Sequence, residues 1–192
     1  MTLIALLRHP FTAWRDGEAS KMLSMYEGFR RLLPFIIVSA VFDRYALWLS
    51  GGGSISEYSS PMVIAFLPLF LVARVLSGAA AYLVSVQFAR MTLVRLGMYD
   101  HATSTVSVVT FSFIPMYGAV AVQQLPVAGA IAPLFIMMTL MLQYAGARFL
   151  GKPYGRNTLL VFSTLFGTWF ISWAFVEILF YEVMLSCIGY PM

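Results

Sequence analysis

A chain of 192 residues with 60% hydrophobic and 10% charged residues has too few polar side chains to cover a water-soluble globule of its size, which excludes a soluble domain and requires lipid as solvent. The net charge of +4 does not mark a nucleic-acid binder, because the basic residues fall in short stretches between apolar runs and form no continuous basic surface. The single cysteine, Cys187, excludes an intrachain disulfide framework and a cysteine-cluster metal site.

Residues 1–7 are mostly apolar, but Arg8, His9 and Pro10 interrupt them too soon for a signal-peptide core and no small-residue cleavage site follows, so the segment is expected to stay on the mature protein. Phe11 and Trp14 alternate with Arg8, Arg15, Asp16, Glu18 and Lys21, which predicts a cytoplasmic interfacial segment over residues 1–31 with one or two surface helices before Arg31. A first span is expected over residues 32–49, with Asp43 and Arg44 in its second half, ended by the glycine-rich loop at 51–60. The apolar run at 61–88 exceeds the roughly 20 residues a bilayer needs, so it must tilt, bend at Pro68 or leave the lipid, and the last is expected. A third span covers 104–122 with Pro115 inside it, and a fourth covers 126–147 with Pro133 inside it, the two joined tightly around Gln123 and Gln124. A fifth covers 158–181, the spanning domain runs from 32 to 187, and residues 188–192 form a tail. The expected fold is therefore an all-α polytopic membrane bundle of five transmembrane helices.

Arg8, Arg15, Lys21, Arg30 and Arg31 precede the first span, Arg90 and Arg95 follow the second, and Arg148, Lys152 and Arg156 lie between the fourth and fifth. The opposite loops hold no lysine or arginine, so the N-terminus is expected to be cytoplasmic and the C-terminus to face the other compartment, which requires an odd number of spans. Leu96-Gly97 leads into the third span and Leu150-Gly151 into the fifth, an offset of 54 residues that suits two similar helical hairpins, with chance recurrence of a common dipeptide as the rival reading.

Among candidate sites, Arg74 lies thirteen residues into the second span, near half the membrane depth at roughly 1.5 Å per residue. A lone charge there costs about 2.5–3.5 kcal/mol on insertion scales, so it should pair with Asp43 and lock two spans, reach a lipid phosphate, or line an ion path. Glu177 shares a helical face with Trp169, Trp173 and Tyr181, which reads as an interfacial aromatic belt or, given a partner, a proton-handling group. His101 beside Asp100 reads as a solvated pair in a cytoplasmic turn, and His9 is too distant in sequence to argue as a second metal ligand. Ala73, Ser77, Ala81, Ser85 and Ala89 repeat every four residues beside Gly78, a small-residue stripe that lets helices approach closely, either within the chain or against another subunit.

The segment Leu7-Arg8-His9-Pro10-Phe11-Thr12-Ala13-Trp14 resembles the Pro-x-x-x-Trp segment before the first span in bacterial members of the Yip (Ypt-interacting protein) family. Leu96-Gly97-Met98-Tyr99 through Val106, Val108, Val109, Phe111, Ile114 and Pro115 is similar to that family's glycine turn, its span with small polar residues and its proline about one helix later. The Asp-Leu-Tyr-Gly-Pro signature of the eukaryotic members is missing, which sets a Rab-type GTPase partner aside. The resemblance implies a bacterial cytoplasmic membrane, a five-span fold and a role in membrane organisation, trafficking or assembly rather than a reaction.

No nucleotide loop, paired-histidine haem site, metal cluster or catalytic constellation is found in the sequence, so the expected function is a non-catalytic scaffold or accessory subunit without a cofactor beyond bound lipid. Its expected partners are the bilayer and other membrane subunits in a hetero-oligomer, with adaptable packing surface from twelve methionines. A small transporter or channel using Arg74, Asp43 and Glu177 is the second reading. A lipid-modifying enzyme using His101 with Asp100, or Tyr154 with Lys152, is the third.

Overall fold

The computed structural model describes residues 14, 23–49, 61–123, 125, 128–149, 157–175 and 183. Helix α1 (Met25–Leu49) begins seven residues before the expected first span. Its start is set by a capping box: the Ser24 hydroxyl accepts from the Glu27 amide at 3.2 Å, and Glu27 Oε2 accepts from the Ser24 amide and hydroxyl, both at 2.9 Å. These hydrogen bonds to Ser24, helped by Arg31 and Arg30, hold the exposed Glu27 carboxylate below its ordinary pKa. A carboxylate with a lowered folded pKa stabilises the fold above its unfolded pKa, and that contribution is lost as pH falls through the folded value. Thermal unfolding of the detergent-solubilised protein should therefore show a smaller loss of Tm between pH 7 and pH 3 in Glu27→Gln than in the wild type; equal losses would remove the box from the stability of α1.

Helix α2 (Pro61–Arg95) is 35 residues long, roughly 52 Å, and runs through Pro68. It stops at Gly97, the one described residue with positive φ, at 75°. The Gly97 amide donates to Val94 and the Met98 amide to Leu93, at 3.0 and 2.9 Å, a Schellman closure that requires the left-handed conformation glycine adopts freely. Helix α3 (Tyr99–Gln123) follows at once, with Pro115 inside it. A 3-10 turn (Ala128–Ile131) leads into α4 (Ala132–Phe149); residues 126 and 127, where the fourth span was expected to start, lie outside the described residues. Pro133 sits in the first turn of α4 rather than in its interior, where its missing amide costs no helical hydrogen bond. Helix α5 (Thr158–Ser172) passes into a π turn at 173–175, and the rest of the expected fifth span lies outside the described residues.

Helix α3 is the central element. It packs against α1, α2, α4 and the 3-10 turn, while α5 closes the arc by packing against α2 and α4. The cause is visible in its composition: α3 combines valine and phenylalanine with serine and threonine, whose hydroxyls can be satisfied locally. Ser104 and Thr105 donate to Asp100 and His101, Thr110 to Val106 and Ser112 to Val109, all carbonyls of α3 itself. With these hydroxyls satisfied within the helix, and Ser107 and Tyr117 bonded to Leu23 and Gly78, α3 is buried from Ser104 through Tyr117 without a break.

Every described element is helical, and four segments are long and apolar enough to cross a membrane: Leu71–Arg95, Tyr99–Gln123, Gly129–Phe149 and Thr158–Phe175. The outward faces of α2, α4 and α5 are correspondingly apolar, with Val72, Phe88, Leu134, Met137, Leu159 and Phe170 all more than half exposed. A soluble fold would bury such side chains; lipid solvates them.

Candidate functional site

The chemistry-bearing residues depend on helix register, which the short α2–α3 turn makes readable. Residues equidistant from Gly97 face each other across the hairpin, and Tyr117 Oη donates to the Gly78 carbonyl at 2.8 Å, twenty and nineteen residues away on either side. On this register Arg74 is level with the last turn or two of α3, which ends at Gln123. The first ten residues of α2 project past the end of its hairpin partner, so the level of Arg74 in the bundle differs from its place midway along the apolar run. Arg74 is half-buried. Ile36 packs at Gly78 and α1 runs antiparallel to α2, so the backbone of Asp43 lies roughly one turn beyond that of Arg74. The Asp43 side chain and the whole of Glu177 lie outside the described residues, as do Cys187, Lys152, Tyr154, His9 and the Leu150-Gly151 half of the repeat.

The small-residue stripe faces inward. Ala73, Ser77, Ala81, Ser85 and Ala89 are all at most 1% exposed within this single chain. Its Ser77 hydroxyl donates to the Arg74 carbonyl at 2.9 Å, while Ser85 Oγ, equally buried, has no partner.

At the end carrying Arg95 and Arg148, a cavity of about 10 Å³, the room of one water, lies where α2, α3, α4 and α5 meet. Leu93, His101, Ser104, Val108, Gly146 and Val161 are among the residues around it. His101 is half-buried, with the exposed Asp100 beside it in electrostatic contact and the backbone of Ala147 on α4 as a second neighbour. The first turn of α3 turns His101 toward α4, and the imidazole joins two helices end to end. Gln143 Oε1 on α4 and Thr158 Oγ1 on α5 are buried without a partner among the described residues. Among the described residues no group of three metal-ligating side chains converges.

The cross-helix polar contacts of the core escaped the sequence reading. Tyr82 Oη and Thr110 Oγ1 are 2.9 Å apart, and because Thr110 donates to Val106, Tyr82 is the donor. Phe113 meets the Tyr82 ring edge-on and Phe29 lies tilted against it, while Trp14 from the N-terminal segment packs edge-on against Phe111 with centroids 5.8 Å apart. A serine three residues before a glutamate, at Ser24 and Glu27, was the legible signal for the start of α1; the tyrosine contacts have no such local mark. No family model, curated protein or solved structure matches this chain.

Proposed function

We propose that this chain is a non-catalytic membrane scaffold or accessory subunit that crosses the membrane five times and packs against a larger membrane complex. The observation that carries the reading is the filled interior: α3 is sheathed by the other helices, its hydroxyls bond its own carbonyls, and the cavity at the charged end has room for about one water. A transport site needs polar groups converging near mid-depth. Arg74 is level with the end of α3 instead, and the two tyrosine hydroxyls in the core are satisfied by Thr110 and Gly78. A lipid-modifying reaction would need an accessible base, and His101 is half-buried and committed to the Ala147 backbone.

Residues 32–49 of helix α1 supply the fifth crossing. With Arg90, Arg95 and Arg148 toward one end of the bundle and Arg74 toward the other, the excess of basic residues marks the first end, and the N-terminus with it, as cytoplasmic and the C-terminus as opposite. The likeness to bacterial Yip proteins supports the same topology, a cytoplasmic-membrane location and a role in assembly.

Purification in mild detergent followed by native mass spectrometry should yield a stoichiometric complex with another membrane protein. A lone monomer that mediates ion flux in vesicles, with flux lost in Arg74→Gln, would overturn the proposal in favour of transport.

A further inference from the structure

The polar rim of the bundle is uneven in height. On the α2–α5 side the basic groups Arg95 and Arg148 lie level with the start of α3, since Arg95 adjoins the Gly97 turn and Arg148 follows Ala147, which lies beside His101; the exposed Arg90 stands about 7 Å higher on α2, still below the level of Tyr82. Exposed apolar side chains extend down to that level, including Phe88, Met91, Leu96 and Leu159. On the α1 side the register differs. Met25 Sδ accepts from Gln87 Nε2 at 3.8 Å, Gly28 abuts Tyr82, Thr110 and Val106, and Ile36 reaches Gly78 beside Tyr117. Arg30 and Arg31 therefore lie between the heights of Thr110 and Tyr117, in the middle of α3 and about 15 Å above the other rim, half the thickness of a hydrocarbon core.

Both arginines are exposed, and their one acidic neighbour among the described residues is Glu27, whose carboxylate they attract but which is itself held by Ser24. Tyr26, Glu27 and Pro34 continue the exposed surface on the same helix, and large exposed apolar side chains of α1 resume only at Ile37. Two guanidinium groups at this height cannot be left in hydrocarbon, and side chains of α1 lean toward its N-terminus, which extends their reach toward the lower rim.

We propose that Arg30 and Arg31 hold the phosphate of an anionic phospholipid drawn inward along α1, so that the bilayer is locally thin on this face. Guanidinium forks match phosphate oxygens in charge and geometry. The inference rests on α1 lying in the membrane and not on the accessory-subunit reading.

The test uses the full chain in nanodiscs of phosphatidylcholine containing a minor fraction of phosphatidylglycerol, released into the gas phase for native mass spectrometry. The wild type should retain phosphatidylglycerol in preference to phosphatidylcholine, and Arg30→Gln with Arg31→Gln should lose that preference by about tenfold. Arg95→Gln, at the lower rim, should keep it. Arg30→Lys with Arg31→Lys preserves the charge and should retain part of it, which guards against a folding defect in the glutamine variant. Equal retention in wild type and the glutamine variant, or loss of an acidic protein partner with lipid retention unchanged, would overturn the proposal.

Discussion

Gly146→Ala should lower the thermal stability of the detergent-solubilised protein by about 1–3 kcal/mol, the usual cost of overpacking a tight interior. A β-carbon at Gly146 would stand 2.7 Å from both Cγ1 and Cγ2 of Val108 on α3. Valine has one strongly preferred side-chain rotamer in a helix, so no rotation removes both methyl groups from the contact. The helices must separate instead, and the separation falls beside the cavity and close to the His101–Ala147 hydrogen bond. Gly146→Leu should abolish the folded species in size-exclusion chromatography. Gly167→Ala on α5 is the matched control: among the described residues nothing lies within 4 Å of its added methyl group, so the gain in helix propensity should leave Tm unchanged or higher. If both alanine variants melt with the wild type, α3 and α4 are not locked at this point.

Gly28→Ala should be comparably damaging for a different reason. Its β-carbon would fall on the Tyr82–Thr110 hydrogen bond, 2.6 Å from Thr110 Oγ1 and closer still to Tyr82 Oη, with Val106 Cγ1 at 3.0 Å. One hydroxyl has to give way, and a buried phenol deprived of its acceptor costs about 1–3 kcal/mol. Tyr82→Phe alone should be mildly destabilising, whereas combined with Gly28→Ala it should recover part of the loss, because the nearest colliding atom is gone. Melting curves of the two single variants and the double variant measure the coupling. Strict additivity would mean that α1 does not seat against Tyr82 through Gly28.

The apolar runs that become helices, the stop at Leu96-Gly97 and the existence of a small-residue stripe on α2, though not which way it faces, were legible without tertiary structure. Each is a local property: transfer of a segment into lipid depends on that segment's own side chains, and a glycine that ends a helix acts on its own φ. The capping box at Ser24 and Glu27 belongs to the same class, and it moves the start of α1 back to Met25. The height of Arg74 does not. Hydropathy placed it midway along an apolar run, but its level is set by the partner helix, through the hairpin at Gly97 and the Tyr117–Gly78 hydrogen bond. His101 likewise looks solvated beside Asp100, and only the approach of α4 makes it an interhelical donor. Arg30 and Arg31 carry an ordinary cytoplasmic signal in the sequence, and only the seating of Gly28 at Thr110 raises them to the middle of α3. Composition determined that this chain belongs in lipid and which segments form helices; the contacts between helices decided how high each charge stands, because height is a relation between two helices and no single segment contains it.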